Sequence, residues 1–246
     1  MPFTSLELSA EIKSDSAALA RAMARAHIVE QSRTESFKAI SHGVAGGWHQ
    51  YNWHIWWTPP SLWRDEVTHA NGGTTVIIIR PDLALGYVPF FQTLYTSDPL
   101  GTQKVKRGPD SAEMQSATID DRLMEFPLIR PRLPSADWQR DFVEDTAYLG
   151  RPARRFRATR RAGSIPAWDP RTSGFWMGVD EYDCVLDDQL EIVLSVVGIV
   201  DRSTVATISV NKIIVDAPIP AGTFDFSPPP GTRSAHWRRP TTKRVG

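Results

Sequence analysis

The sequence predicts a mainly β protein of α+β type. Its centre is one strongly curved antiparallel sheet, an incomplete barrel whose concave side is plugged by short helices. Three observations carry this expectation. From residue 36 onward apolar residues recur at period two through most of the chain, as they do in half-buried strands. Turn-forming clusters, among them Pro59-Pro60 and Asn71-Gly72-Gly73, fall between those stretches and mark reversals. No strand–helix alternation is visible, which argues against a parallel sheet. An antiparallel sheet of such length curls, and its concave face must then be filled.

The elements follow in chain order. Ser14 to Glu30 reads as a helix, with Ser14 or Asp15 as N-cap and Leu19, Met23 and Ala26 at helical spacing. Residues 1–34 are therefore taken as an N-terminal helical segment outside the sheet. Strands are expected at about 36–45, 47–57, 62–69, 74–80 and 84–91, with Asn71-Gly72-Gly73 as a tight turn. Residues 97–110 read as a loop. One or two short helices fit 111–130, where Leu123, Phe126 and Ile129 form an apolar stripe broken by Pro127. Strands resume at 138–148 and 151–161, hinged on Leu149-Gly150, and again at 175–187, 189–201 and 203–215 after a loop at 162–174. In the first of these last three, Asp180, Tyr182, Cys184 and Leu186 share one face. Residues 227–246 are Pro-rich and then basic, and read as a flexible tail. One β domain, about 35–226, remains between the two terminal segments.

Bulk properties exclude several functions. Lys plus Arg and Asp plus Glu both number 28, so no global field draws the chain to nucleic acid or to an anionic membrane. The single cysteine, Cys184, rules out an intramolecular disulfide and any cysteine-rich metal site; it reads as a small buried strand residue. No basic start followed by an apolar run opens the chain, and no apolar run approaches the roughly 20 residues of a membrane helix. The expected location is the cytoplasm, with no transmembrane segment.

The stretch "WHQYNWHIWWTPPSLW" (48–63) holds five of the nine tryptophans. Extended, it places His49, Tyr51, Trp53, Ile55 and Trp57 on one face and Trp48, Gln50, Asn52, His54 and Trp56 on the other. The first set is the more apolar and is expected to face the interior, either as plain core or as the wall of a pocket. A nucleotide-stacking platform would interleave cations with the rings, and residues 47–60 contain none. His49 and His54 fall on opposite faces, so converging metal ligands are not expected. The arginine run Arg151, Arg154, Arg155, Arg157, Arg160 and Arg161 is expected to pair across strands with Asp141, Glu144, Asp145 and acids of the 180–188 stretch. Asp187-Asp188 reads as a turn. No Gly-x-Ser-x-Gly, phosphate-loop or dinucleotide-glycine motif is present; neither an enzyme nor a cofactor is expected.

Five motifs in order, "LWRDEV" (62–67), "TTVIIIRPDLALGYVP" (74–89), "EDTAYLGRPARRFRAT" (144–159), "DEYDCVLDD" (180–188) and "VDAPIPAGTFDF" (215–226), together resemble the LolA/LolB-like lipoprotein-carrier fold, in the divergent form common in actinobacterial proteins. The resemblance covers about 35–226. It implies an incomplete curved barrel with helices over its open side, and an apolar cavity between them that holds acyl chains or lipid-like signals. On that basis Tyr51, Trp53, Ile55, Trp57, Leu123, Phe126 and Tyr182 are the candidate pocket residues. The expected function is non-enzymatic binding of a hydrophobic or amphipathic small molecule. The alternative is a protein–protein interaction or regulatory domain with a filled core and no small-molecule ligand. The expected partner is accordingly a hydrophobic small molecule or another protein.

Overall fold

The computed structural model describes residues 3–25, 48–59, 61–97, 138–161 and 178–236. Strands β1 (Leu6–Asp15), β2 (Trp48–Thr58), β3 (Leu62–His69), β4 (Thr74–Ile79), β5 (Ala84–Val88) and β6 (Thr93–Ser97) come first. They are followed by β7 (Trp138–Tyr148), β8 (Arg151–Arg160), β9 (Glu181–Asp187), β10 (Val193–Val200), β11 (Ser203–Val215) and β12 (Arg233–His236). Together they make one curved sheet that is not closed into a barrel, in the order β12-β6-β5-β4-β3-β2-β1-β11-β10-β9-β8-β7. Every pairing is antiparallel except that of β12 with β6. The sheet is thus two meanders, β2–β6 and β7–β11, joined at the centre by β1, which pairs with β2 on one side and β11 on the other.

That central place of β1 differs from the sequence-based expectation, which left residues 1–34 outside the sheet. Leu6, Leu8, Ala10 and Ile12 alternate with Glu7, Ser9, Glu11 and Lys13, a period-two pattern overshadowed by the Ala- and Leu-rich run after it. The helix, α1 (Ser16–Arg25), begins where that run begins. Asp15 Oδ1 accepts the Ala18 N–H at 2.9 Å, a cap that satisfies one of the first-turn donors. Ala18, Leu19 and Ala22 pack α1 onto the core, against β1 and β11. The face they cover is called inner below.

The reversals use positive backbone angles where the residue types allow them. Leu149 and Gly150 have φ of 51° and 74° and turn β7 into β8, a left-handed pair that matches the twist of a hairpin. Gly72, at φ 83°, closes the Asn71-Gly72-Gly73 turn. Residues 84–91, expected as one strand, divide into β5 and a 3₁₀ turn at Pro89–Phe91, and β6 follows. Pro89 removes the backbone donor that a longer strand would use. The expected strand at 36–45, the loops at 97–110 and 162–174 and the helices at 111–130 lie outside the described residues. So do residues 237–246 of the expected tail. Its earlier part is ordered: Arg233–His236 forms β12, with Arg233 N–H donating to Gln92 O at 2.9 Å.

Two apolar clusters lie on the two faces. The larger one is inner and runs across β1–β4 and β8–β11, drawing in Phe3 and Trp138. The smaller one is outer: Val76, Ile78 and Tyr87, with Leu85 and Leu94, are covered by Phe224 and Phe226. Arg64 fixes that cover, its Nη1 donating to Thr223 O at 2.7 Å and Asp225 O at 2.8 Å. The Arg of "LWRDEV" and the Phe residues of "AGTFDF", distant in sequence, therefore form one lock. None of the described helices is long and apolar enough to cross a membrane.

Candidate functional site

The site is built on β2. Its odd residues turn inward: Trp53, Ile55 and Trp57 are buried and Tyr51 is half-buried. Its even residues turn outward, where Trp48 is 51% exposed and Gln50 and Asn52 are exposed. Register then stacks the inner residues in rows across three strands. Trp57 lies between Leu6 of β1 and Trp63 of β3, Trp53 between Ala10 and Val67, and Tyr51 between Ile12 and His69. The rings meet edge to face, at 5.2 Å for Phe3–Trp57, 5.9 Å for Trp57–Trp63 and 5.3 Å for Tyr51–His69, an arrangement favoured by the ring quadrupoles. In the other half of the sheet, on β9, Tyr182 is buried in the same cluster, its ring 4.9 Å from that of Trp138. Of the expected pocket residues, Trp53, Ile55, Trp57 and Tyr182 thus share one buried inner face with half-buried Tyr51. Leu123 and Phe126 lie outside the described residues.

Polar groups on this face are few, and the sequence reading passed over them. Asp65 is 1% exposed, between Ile55 and Ile77 on the neighbouring strands. Its Oδ2 accepts the Trp63 indole N–H at 2.9 Å. Burial pushes its pKa up to about 7, against the pull of the Trp63 hydrogen bond. Its place could have been read from parity, since it stands between Trp63 and Val67 at strand spacing. The Trp57 and Trp138 indole nitrogens are buried with no hydrogen-bond partner among the described residues. Cys184 is buried on β9, and desolvation raises its thiol pKa far above the ordinary value, which leaves it inert as a nucleophile.

The outer face is charged and paired. Arg155 bridges Glu144 on β7, at 3.1 Å, and Asp183 on β9, at 2.6 Å; Arg157 meets Glu181 at 2.9 Å. Arg151 pairs with Asp187, and Arg154, which has the opposite parity on β8 and is exposed near its N-terminal end, pairs with Asp188. Asp187 also accepts the N–H groups of Gln189 and Leu190, at 2.9 and 2.8 Å, and so shapes the turn after β9. Burial opposes its charge, but Arg151 and those two N–H groups outweigh the penalty and hold its pKa below the ordinary value. On β1, Glu7 lies 2.5 Å from Lys212 and 3.0 Å from His54, and the Lys212 hydrogen bond leads in lowering its pKa. Apart from Asp187, which is buried and held by Arg151, these charges gather where water reaches them, and the aromatic face is left nearly clear of them.

No family model matches the chain, and no curated protein does. Solved structures of similar architecture exist. An uncharacterized conserved protein from Thermus thermophilus aligns over 95% of this chain and 91% of its own, at 7% identity and a TM-score of 0.47. LolA superfamily proteins are among them. The one from Nitrosomonas europaea aligns over 91% of each chain, at 6% identity and a TM-score of 0.29. The Pseudomonas aeruginosa MucA/MucB complex aligns over 98% of this chain and 68% of that one, at 9% identity and a TM-score of 0.44. In two further MucB structures this chain spans 58% and 56% of the protein's length. At these identities the likeness concerns the fold alone.

Proposed function

We propose that this protein is a non-enzymatic binding module whose inner face holds a hydrophobic or amphipathic small molecule. One observation carries the reading. Trp57 and Trp138, in different meanders of the sheet, bury indole N–H groups that meet no acceptor among the described residues. A finished core pairs its buried donors almost without exception, whereas a ligand site leaves donors for the ligand to satisfy. The surrounding rows of Leu, Ile, Val and aromatic side chains suit an aliphatic chain, held because its surface leaves water at about 25 cal/mol per Å².

The test is twofold. Protein purified from cells is extracted with organic solvent and the extract examined by mass spectrometry. In parallel, the delipidated protein is titrated with a fluorescent long-chain fatty acid while tryptophan emission is followed. Binding should quench tryptophan emission, and Trp57→Phe, which keeps an aromatic ring and removes the N–H, should weaken binding several-fold. An empty extract together with no titration signal would overturn the proposal.

A second reading rests on β7. Residues 139–147 of this edge strand are exposed on both faces, Phe142 at 63%, and its outer ladder groups have no neighbouring strand among the described residues. Away from the Phe142–Glu144 irregularity, such an edge can accept a short extended peptide. On this reading a protein partner would bind regardless of ligand, and Phe142→Lys would abolish capture of that partner while lipid binding persists.

A further inference from the structure

We propose that the Trp138–Arg160 end of the inner face is a head-group subsite, which takes the carboxylate or phosphate of an amphiphile whose chain lies along the apolar rows. The proposal deepens the binding reading above and rests on it.

The arginines of β8 separate into two kinds. Arg151, Arg154, Arg155 and Arg157 each pair with a carboxylate. Arg160 pairs with none among the described residues. Its Nε and Nη2 donate to the Val179 carbonyl oxygen, at 3.3 and 2.8 Å, and its guanidinium carbon lies 4.8 Å from the centroid of the Trp138 ring. Those contacts fix the group in place but leave its positive charge without a counter-ion, and its Nη1 without an acceptor, among the described residues. A guanidinium held in this way presents a planar fork of donors suited to carboxylate or phosphate oxygens.

Trp138 supplies the second, independent observation. It is 1% exposed and opposes Arg160 directly in the β7–β8 register, and its indole N–H is buried without a partner among the described residues. Two unsatisfied donors, one of them cationic, therefore adjoin each other at the margin of the apolar face. Arg140 opposes Ala158 one inward position further along β7. A neutral head such as a hydroxyl could accept the indole N–H but would leave the Arg160 charge uncompensated; an anionic oxygen answers both.

Competition against a bound fluorescent fatty acid tests this on the full chain, with three amphiphiles that share one oleoyl chain. They are oleate, a lysophosphatidic acid and the neutral monooleoylglycerol. At least one anionic ligand should bind roughly tenfold more tightly than the neutral one, and the order of the two anions tells carboxylate from phosphate. Arg160→Gln should remove that advantage and leave monooleoylglycerol binding unchanged. Trp138→Phe should lower anion affinity several-fold; if that variant does not fold, Arg160→Gln carries the test alone. Equal binding of anionic and neutral ligands, unaltered in Arg160→Gln, would overturn the subsite and leave the binding reading standing. Binding of none of the three would overturn both.

Discussion

Asp65 is the residue whose chemistry is most at odds with its surroundings. It lies on the aromatic face between Ile55 and Ile77, with the Trp63 indole N–H on its Oδ2 and the Trp53 indole as a further donor toward the carboxyl. With a pKa of about 7 against an ordinary 3.8, the folded protein keeps a proton that the unfolded chain gives up. The stabilisation is full below about pH 4 and is lost progressively as pH rises through about 7. A displacement of about three units corresponds to something on the order of 4 kcal/mol across that window. Asp65→Asn, which still offers Trp63 an acceptor, should remove this dependence. Urea midpoints taken from about pH 5 to about pH 8 should fall for the wild type relative to the variant, and parallel curves for the two proteins would refute the assignment. The residue was legible only in part. Parity within "LWRDEV" was enough to place it inward with Trp63, a step the sequence reading passed over, and nothing there tells that a partner is a ring two positions earlier on its own strand.

Among the elements, the β7–β8 hairpin shows why alternation read from the sequence goes only so far. From the Leu149-Gly150 turn the ladder pairs Tyr148 with Arg151 and Glu144 with Arg155, and it then slips, so that Phe142 opposes Phe156 and Trp138 opposes Arg160. Val143 is the extra residue. Strict alternation would put Trp138 on the face of Arg155 and Arg157, and one bulge moves it to the other. Arg160 could be separated from Arg155 and Arg157 in the sequence, but its meeting with Trp138 could not. On β2, which has no slip, the division of the tryptophans followed directly from spacing; β1 was hidden by its Ala-rich continuation rather than by irregular geometry. The bulge has a further consequence at this exposed edge. Irregular edges resist pairing with other chains. Deleting Val143 keeps both sets of cross-strand partners and makes the edge regular, so the variant should self-associate. Sedimentation velocity over a range of concentrations should show larger species for it than for the wild type at matched circular dichroism; identical profiles would mean that the bulge does not guard the edge.

For the whole molecule, the decisive feature is that both faces of one open sheet carry apolar clusters but are closed by different means. The inner face is covered in part by α1, and the outer face over β4–β6 by the segment that leaves β11 and ends as β12 beside β6. That segment ties the two meanders together. It starts at Asp216, whose Oδ1 accepts the Thr4 N–H at 2.6 Å, crosses to Arg64, and ends against the opposite edge from β7. Without a barrel seam to hold its curvature, the sheet depends on this strap, and Arg64 is its principal fastener. The side chain donates to two strap carbonyls, pairs with Glu66, and lies 5.9 Å from the Trp56 ring. Hydrogen bonds from a charged donor each contribute about 1.5–3 kcal/mol, so Arg64→Ala should lower stability by roughly 3 kcal/mol. The loss should be local at first, because the strap has few other polar ties to β3 among the described residues. Hydrogen exchange should quicken at Thr223 and Asp225, whose amides donate to Pro220 and Gly222 carbonyls, while the amides of β1 and β11 keep their protection. Uniform acceleration across the sheet would instead make Arg64 part of the global core, and unchanged exchange at 223–225 would refute the fastening altogether.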